Sequence, residues 1–504
     1  MLLQQLLVDG ASRTPEKTAF HWVERGRSLS YSGAVAAMEE VAGALAGLGV
    51  QRGDRVGVFA HNGMDYLLAM FGTWRLGAIC ALVNLQYADR LDYFVNDSEP
   101  KVLIYTGDHH ETIERHRPNL PSLRHYVCLD GARDGSLGWN EVLDGAQSPP
   151  SDPTEEGDAA HLSYTSGTSG NPKGACLAHE PTTRATRCIA ERLRIEASDV
   201  SLGPSALSSS YHLVANLLPG LHRGATICVM SRWEAEKGWV STEELGATIL
   251  AANPTILRDV LDVSRQRGRS PSGLRLAVSG GAPVPPELKL AWRDELGVTL
   301  AESYGQSELG GFVGLGSPDP VLDEKVLACG RPLPDKEVRI LDDDGKEVPF
   351  GTIGEICLRG GFMAGYWKLP DKTAETLRGG WLHTGDVGYM DADQFLYVRG
   401  RLSERLRVAG EYWYPRDVEE VLMRHPAVRE AALIGLPDGE LGHRPVACVT
   451  LRGETIDLDE TVRFAEQELG RTLQHLTVRP VEQMPMTPTG KISKAQLLDA
   501  AVGS

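Results

Sequence analysis

The residues best suited to chemistry lie at positions 163–174, in the run SYTSGTSGNPKG. Glycines allow positive φ and close backbone approach, so successive N–H groups can converge on anionic oxygens, while hydroxyls add donors and a lysine adds a point charge. The run therefore has the composition of a phosphate-binding loop, although a plain surface loop is the alternative that the run alone does not exclude. Its candidate phosphate-binding members are Thr165, Ser166, Gly167, Thr168 and Lys173.

The spacing of this run differs from that of a P-loop NTPase. The GxxxxGK[ST] pattern is not met, because Lys173 is followed by Gly174 and no glycine directly precedes the lysine. Residues 161–164 are predicted to form a short strand that leads into the loop, and residues 175–179 lead away from it. A loop that follows a strand is a common setting for phosphate binding, so the flanks favour that function.

A second polar group, YGQSELG at 304–310, follows a predicted strand at 299–303. An aromatic ring, a hydroxyl and a carboxylate are thus expected at the carboxyl end of a strand, where α/β sheets usually place their sites. Tyr304 can stack on a base, Ser307 can donate to a phosphate, and Glu308 can hold Mg²⁺, which prefers carboxylate and phosphate oxygens.

Small residues also follow the predicted buried strand at 274–278. Gly280, Gly281 and Ala282 leave the backbone bare, so a flat ring can lie against them. A simple turn from strand to helix is the alternative, and the two interpretations are compatible.

Three further residues are single candidates. Asp386, after Thr-Gly, is suited to accept the two hydroxyls of a ribose diol, although an Asp in such a turn is ordinarily a cap. Arg401 ends the run FLYVRGR at 395–401, which follows Asp386 along the chain. Lys491, in PTGK near the end of the chain, is by itself an ordinary solvated lysine.

Taken in order, these motifs resemble those of the acyl-adenylate-forming superfamily, which includes acyl-CoA synthetases, peptide-synthetase adenylation domains and beetle luciferases. The 163–174 run resembles its phosphate loop, and YGQSE resembles its YGxTE motif with Ser307 in place of threonine. Thr-Gly-Asp at 384–386 resembles its ribose motif, and Lys491 resembles its near-terminal catalytic lysine. The resemblance covers almost the whole chain.

The resemblance implies an ATP-dependent ligation of a carboxylic acid to CoA. The acid attacks the α-phosphorus of ATP and displaces pyrophosphate, and the CoA thiol then expels AMP from the acyl-AMP. The loop hydroxyls and Lys173 are implied to hold the β- and γ-phosphates, Glu308 to place Mg²⁺, and Lys491 to bridge the acid and ATP. The other implied nucleotide and CoA contacts are Gly280, Gly281, Ala282, Tyr304, Gly305, Ser307, Asp386, Arg401, Arg407 and Gly410.

The elements that must position these residues follow from hydrophobic periodicity. Helical spacing over 29–49 is followed by an apolar strand at 56–60, and such alternation continues, which predicts α/β layers with mainly parallel sheets. From residue 330 the pattern becomes β-rich. We therefore predict a large N-terminal domain with a β-rich subdomain, followed by a compact α+β region. The resemblance implies that this last region is a small mobile lid over 403–504 that carries Lys491 and rotates about a hinge near Ser403, so the N-terminal domain is expected to cover 1–402.

Two departures from the family's pattern leave alternatives open. Ser403 stands where relatives usually carry Asp or Lys as the hinge, and the Pro-x-x-His gate motif is not recognisable around 204–210. An enzyme specialised for one half-reaction and a stand-alone ligase that loads a carrier protein are the alternatives. A peptide-synthetase module is disfavoured because no carrier domain follows the lysine motif, and a non-catalytic nucleotide-binding protein would be expected to lack Lys491 or Glu308.

Composition limits the other function classes. The 504 residues exceed one core, and the net charge of -17 without a basic run disfavours nucleic acid or an anionic membrane as a partner. Eight scattered cysteines predict neither a disulfide framework nor a zinc site and fit a cytoplasmic protein. No apolar run is long enough for integral membrane association, residues 1–7 are expected to begin an amphipathic helix, and a homodimer is left open.

Three smaller expectations concern side chains outside these motifs. His109 and His110 are expected to be solvated rather than metal ligands, and His212 is not expected to act as in a hydrolase because no GxSxG elbow is present. Small side chains at 208–210 and 310–311 favour a small to medium organic acid as substrate.

Overall fold

The computed structural model describes residues 1–151, 154–165, 171–453, 455–486 and 492–502. Short 3₁₀ segments join several elements, and a π-helical turn at Leu213–Leu217 separates α8 from α9. The helices are α1 Gln5–Arg13, α2 Tyr31–Gly47, α3 Met64–Arg75, α4 Leu91–Ser98, α5 His110–His116, α6 Trp139–Asp144, α7 His179–Arg192, α8 Ser210–His212, α9 Leu218–Arg223, α10 Ala235–Glu244, α11 Pro254–Arg267, α12 Pro286–Leu296, α13 Pro370–Thr376, α14 Pro415–Arg424, α15 Leu458–Leu469 and α16 Lys494–Val502.

The strands alternate with helices up to about residue 300 and then follow one another closely. They are β1 Thr18–Trp22, β2 Arg27–Ser30, β3 Arg55–Phe59, β4 Ile79–Leu82, β5 Val102–Tyr105, β6 His125–Cys128, β7 Leu137–Gly138, β8 Ala159–Tyr164, β9 Gly174–Ala178, β10 Val200–Gly203, β11 Thr226–Val229, β12 Ile249–Ala251, β13 Leu276–Ser279, β14 Thr299–Tyr304, β15 Gly314–Leu315, β16 Arg331–Pro332, β17 Glu337–Leu341, β18 Gly354–Arg359, β19 Gly365–Tyr366, β20 Leu377–Arg378, β21 Trp381–Met390, β22 Leu396–Arg401, β23 Leu406–Val408, β24 Glu411–Trp413, β25 Val428–Asp438, β26 Gly442–Leu451 and β27 Thr477–Pro480.

The chain divides into two compact units, of which the first comprises Met1–Val338 and Leu358–Leu382. Its described strands form one sheet in the order β16-β15-β14-β13-β12-β10-β11-β1-β2 and another in the order β19-β9-β8-β4-β3-β5-β6-β7. Neighbours from β1 to β14 in the first sheet and from β8 to β7 in the second pair mainly in parallel. Parallel pairing brings the carboxyl ends of neighbouring strands to one edge, where the candidate residues lie.

Burial of both faces explains why these strands are almost continuously apolar. Val58 of β3, Ile227 of β11, Met38 of α2 and Phe71 of α3 belong to one buried cluster. A parallel sheet covered by helices requires apolar residues on both faces, so the strands lack strict polar alternation. The predicted layered α/β architecture is confirmed.

The second unit comprises Arg339–Cys357 and His383–Ser504. Its sheet β24-β23-β26-β25, with β27 beside β26, packs α14 and α15 around a core that includes Trp413, Val418 and Ala465. Elements β16 to β22 confirm the predicted β-rich region, and the α+β character of the tail is also confirmed. The domain boundary at Ser403 remains a prediction.

The predicted first helix is confirmed, but it begins at Gln5 rather than at residue 1. The prediction of a solvated His109 was wrong. His109 and His110 lie at the junction of a 3₁₀ turn and α5, and the His109 side chain is only 19% exposed because Phe59 and His61 pack against its ring. None of the described helices is both long and apolar enough to cross a membrane.

Candidate active site

The neck of the predicted phosphate loop is closed by two hydrogen bonds between Thr165 and Lys173. The Thr165 N–H donates to the Lys173 carbonyl oxygen at 3.0 Å, and the Lys173 N–H donates to Thr165 Oγ1 at 3.1 Å. They continue the antiparallel pairing of β8 with β9, which ends at Tyr164 and Gly174. The described ends of the loop are therefore paired with each other, which holds Lys173 beside Thr165. Three predicted members lie outside the described residues: Ser166, Gly167 and Thr168.

Tyr366 links the loop lysine to the predicted metal carboxylate. Its hydroxyl donates to Glu308 Oε1 at 2.6 Å, and Lys173 Nζ lies 4.4 Å from the centre of its ring. A hydrogen bond to a carboxylate and a cation over an aromatic face are both favourable contacts. Glu308 and Lys173, which lie 58 and 193 positions before Tyr366 in sequence, are thus brought together by one side chain. Sequence reasoning missed Tyr366, because a tyrosine that follows Gly365 does not by itself indicate a site.

The predicted base-binding segments meet at the ends of two neighbouring parallel strands. Ser279 of β13 pairs with Glu302 of β14, and the Ser303 hydroxyl donates to the Ser279 carbonyl oxygen at 3.0 Å. A Cβ at Gly280 would lie 2.2 Å from Ser303 Oγ, so only glycine fits there. Gly281 has a φ of +75°, which also favours glycine. The structure therefore places residues 280–282 beside Tyr304, and leaves their role in nucleotide binding a prediction.

The turn after β14 carries Ser307 and Glu308. It is closed by a hydrogen bond from the Leu309 N–H to the Gln306 carbonyl oxygen, and the Met363 N–H donates to the Glu308 carbonyl oxygen at 2.7 Å. At Gly305, a Cβ would lie 3.0 Å from the Gly311 carbonyl oxygen, so the turn is tightly packed.

Gly310 and Gly311 pack against helix α7. Added Cβ atoms there would lie 2.9 Å from the Thr182 Cα and 2.6 Å from the Ala185 Cβ. The missing side chains therefore make room for α7, a role that their small size alone did not indicate.

The segment around 204–216 is held by buried polar contacts. His212 Nδ1 lies 2.5 Å from the Ser205 carbonyl oxygen, and its Nε2 lies 3.3 Å from the Asn216 amide nitrogen. Burial lowers the pKa of His212 to about 4, so the ring is neutral near pH 7. These contacts give His212 a structural role.

Tyr211, which sequence reasoning also missed, crosses the strand ends. Its hydroxyl donates to the Val278 carbonyl oxygen at 2.7 Å and lies 3.2 Å from that of Ala252. Its ring lies 6.1 Å from that of Phe312. Tyr211 thus ties α8 to the carboxyl ends of β12 and β13, beside Gly280.

In the second unit, Asp386 and Arg401 are opposite each other on β21 and β22. Arg401 Nε lies 2.8 Å from Asp386 Oδ1, and the Asp386 side chain is 7% exposed whereas that of Arg401 is 43% exposed. The Thr384 hydroxyl donates to the Ile356 carbonyl oxygen at 2.7 Å and accepts from the Asp386 N–H at 3.0 Å. The predicted pair is therefore preorganised, with Asp386 fixed from the backbone side.

Glu355 stabilises the backbone of β21 just before Asp386. Its Oε1 accepts from the Gly385 N–H at 3.0 Å, and its Oε2 lies 2.8 Å from His383 Nδ1. Gly385 has a φ of +67°, which an L side chain would strain. Sequence reasoning missed Glu355, because nothing local connects it to a motif 30 residues later.

Arg407 and Gly410 lie on the hairpin of β23 and β24. Val408 pairs with Glu411, so Ala409 and Gly410 form a two-residue turn with φ values of +50° and +93°. Positive φ at both positions is the pattern of a type I′ turn. Arg407 projects from the exposed side of β23.

The tail of the second unit is anchored by Lys494. Its Nζ lies 2.9 Å from Glu404 Oε2 and 2.8 Å from Glu419 Oε1. Burial alone would lower the pKa of Lys494, but the two carboxylates raise it overall. Lys491 lies outside the described residues, whose nearest members Met486 and Ile492 are joined by an antiparallel bridge.

Family models identify what this arrangement belongs to. The model of the AMP-binding enzyme matches residues 7–367, and that of the AMP-binding enzyme C-terminal domain matches residues 417–491. The chain belongs to the AMP-binding enzyme family. The predicted resemblance is thereby confirmed.

Relatives of this AMP-binding enzyme cover nearly its whole length. A sulfoacetate–CoA ligase of Cupriavidus necator is 31% identical over 99% of this chain and 98% of its own. A fatty acid–[acyl-carrier-protein] ligase, ScoC of Streptomyces coeruleorubidus, is 30% identical over 94% of this chain and 92% of its own. The crystal structure of the anthranilate CoA ligase AuaEII with anthranoyl-AMP matches with a TM-score of 0.89 at 28% identity, covering 99% of this chain and 97% of that one.

These relatives confirm, at the level of the family, the predicted AMP-forming ligase that joins a carboxylic acid to CoA. One of these relatives is a ligase of an acyl-carrier protein, so family membership alone does not specify the thiol that accepts the acyl group.

Proposed function

We propose that this AMP-binding enzyme activates a small to medium organic acid with ATP and transfers the acyl group to the thiol of CoA. Acyl-AMP and pyrophosphate form first, and thioester and AMP follow. Lys491 is assigned to the first step and the hairpin around Gly410 to the second.

The observation that carries the proposal is the position of Tyr366 between Lys173 and Glu308. The Tyr366 side chain contacts both a cation suited to phosphate and a carboxylate suited to Mg²⁺. Lys173 Nζ lies 4.4 Å from the centre of its ring, and its hydroxyl oxygen lies 2.6 Å from Glu308 Oε1. The hydrogen bond from Tyr366 uses Oε1 of Glu308, and a carboxylate has further acceptor positions for a cation. The donor set therefore fits Mg²⁺, which favours carboxylate and phosphate oxygens.

Adenylation brings two anions together, so lowering their repulsion is the main task. Mg²⁺, when bound, supplies neutralising charge to the phosphates. Lys173 and the loop hydroxyls hold the terminal phosphates, Ser307 lies on the turn that approaches the α-phosphate, and Lys491 bridges the acid and ATP. Asp386 accepts the ribose hydroxyls while Arg401 steadies its carboxylate.

Thioester formation requires Lys491 to leave. Residues 403–504 rotate about a hinge near Ser403, which withdraws the lysine and presents Arg407 and Gly410 to CoA. The thiol attacks the acyl carbonyl, the bond to the phosphate oxygen breaks, and AMP leaves with the electron pair.

A panel of carboxylic acids in pyrophosphate exchange tests this function. Short aliphatic and single-ring acids should support exchange with ATP, and adding CoA should convert the intermediate to thioester with release of AMP. Exchange with none of these acids, or only with long-chain acids, would contradict the proposed substrate class.

Loading of a carrier protein is the second candidate, favoured by the similarity to the acyl-carrier-protein ligase. It predicts that acyl-AMP accumulates when CoA is abundant and is consumed when a phosphopantetheinylated carrier protein replaces CoA. Thioester formation on free CoA at a rate that matches exchange decides against it.

A further inference from the structure

A cluster of side chains that could bind a metal ion lies in the first unit. It contains none of the residues assigned to the ligase reaction. The ligand atoms of His61, Asp108 and His109 lie within 4.8 Å of one another. His61 follows β3, and the other two follow β5, its parallel neighbour. The parallel pairing of β3 with β5 therefore brings all three potential ligands to the same edge of the sheet.

The separations suit a single ion after small side-chain rotations. His61 Nε2 lies 2.7 Å from Asp108 Oδ2, and His109 Nε2 lies 4.0 Å from Asp108 Oδ1. Imidazole nitrogens and carboxylate oxygens bind Zn²⁺ at about 2.0–2.2 Å, which spaces tetrahedral ligands by roughly 3.4 Å. The observed distances lie on either side of that spacing.

One ligand atom is buried without a partner. Nε2 of His109 is inaccessible to solvent and makes no hydrogen bond to any described residue. Phe59 and His61 pack against its ring at centroid distances of 4.9 Å and 5.3 Å. A buried polar atom that lacks a partner is costly, and coordination of a cation would satisfy it.

Arg232 is the competing cation at this place. Its Nη2 lies 3.8 Å from Asp108 Oδ2, but its side chain is 73% exposed, so it can turn into solvent without losing buried contacts. The N–H of Arg232 donates to Glu24, which keeps the backbone in place during such a movement.

The cluster borders a cavity of about 1080 Å³ whose walls include His61, Asp108 and Arg232. An ion held by three side chains retains coordination positions for water or an anionic ligand. Imidazole with carboxylate selects Zn²⁺, Co²⁺ or Ni²⁺ over Mg²⁺ and Ca²⁺, which prefer oxygen ligands alone.

We propose that His61, Asp108 and His109 form a binding site for one divalent transition metal ion, separate from the Mg²⁺ of ATP. Another group of potential ligands, Glu355, Cys357 and His383, lies in the second unit. An experiment must therefore distinguish the two clusters.

Co²⁺ titration of the chelator-treated full-length protein, followed by visible absorption, tests the site. Wild type and His125→Gln should bind one equivalent with the same spectrum, because His125 lies at the amino end of the neighbouring strand β6. His61→Gln and His109→Gln should each weaken binding at least about tenfold. Cys357→Ser should leave the spectrum unchanged, since no thiolate band is expected.

Thermal unfolding gives a second readout for variants that retain the fold. Zn²⁺ should raise the Tm of wild type and His125→Gln but not that of His61→Gln, whose side chain is 25% exposed and therefore tolerates the change. Equal affinity of wild type, His61→Gln and His109→Gln would overturn the proposal. Loss of binding in Cys357→Ser alone would assign the ion to the second unit and overturn it as well.

Discussion

At the scale of single residues, Tyr366 and Glu355 contact residues that are assigned to the reaction or lie next to one. Tyr366 contacts both Lys173 and Glu308, and Glu355 holds the β21 backbone at Gly385, next to Asp386. Both are positioning residues, since they act through other side chains. Their effects should therefore appear in ion and nucleotide dependence rather than as complete loss of activity.

Tyr366→Phe keeps the ring beside Lys173 and removes the hydrogen bond to Glu308. A hydrogen bond to a charged group contributes about 1.5–3 kcal/mol. Pyrophosphate exchange should fall by roughly 10- to 100-fold, and the Mg²⁺ concentration for half-maximal exchange should rise. Tyr389→Phe, in the second unit, is the matched control, and an unchanged Mg²⁺ dependence in Tyr366→Phe would contradict the role.

Glu355→Ala should raise KM for ATP by about tenfold with a smaller effect on kcat, because it loosens the β21 backbone at Gly385, next to Asp386. Initial rates over a range of ATP concentrations measure this. Glu347→Ala serves as the control, since the Glu347 side chain is 54% exposed and pairs with Arg339 at the surface. Equal KM values for the two variants would exclude a positioning role for Glu355.

At the scale of elements, most candidate groups lie where strands end or hairpins turn, whereas Asp386 lies within β21. Parallel β13 and β14 place residues 280–282 beside Tyr304, while the antiparallel extension of β8 into β9 places Lys173. The β23–β24 hairpin depends on backbone conformation instead of side chains. Its turn requires positive φ at both central residues.

Gly410→Ala should destabilise this hairpin by about 1–2 kcal/mol, because alanine is strained at a φ of +93°. Amide hydrogen exchange over β23 and β24 should become faster, and thioester formation should slow more than adenylation. Gly439→Ala is the control, since an added Cβ there meets nothing within 4 Å and its φ is not in the left-handed region. Thioester and adenylation rates that fall equally would argue against a role of the turn in the second step.

At the scale of the whole molecule, neutral histidines are buried in the first unit. Burial lowers the pKa of His161 to about 3 and the pKa values of His179 and His212 to about 4. In the unfolded chain each histidine has a pKa of about 6.5, so unfolding takes up protons below that pH. Their contribution to stability is complete above about pH 6.5 and is lost as the pH falls toward 4.

The free energy of unfolding should therefore decrease by about 1.4 kcal/mol per pH unit for each of these histidines below pH 6.5. Denaturant titrations between pH 7 and pH 5 measure the slope. His161→Gln should reduce the slope by one proton, whereas His475→Gln, at an exposed position, should not. An identical slope for both variants would refute this source of acid sensitivity.

Sequence reasoning captured what is local. Strands, helices and motif positions follow from periodicity and from spacing, so the sequence predicts β8, β13 and β14 and the polar residues that follow them. Contacts between distant segments were not accessible to it. His61 beside His109 depends on strand order within one sheet, and Tyr366 beside Glu308 depends on how two sheets meet. One sequence specifies neither arrangement.

In the proposed mechanism, Lys491 serves adenylation and leaves before thioester formation. Single-turnover assays of Lys491→Ala, with Lys372→Ala as a matched control, separate the two steps. We expect Lys491→Ala to lose pyrophosphate exchange by at least about 100-fold, yet to convert supplied acyl-AMP and CoA to thioester at a rate close to that of wild type. Exchange at the wild-type rate in Lys491→Ala, or equal loss of both half-reactions, would contradict it.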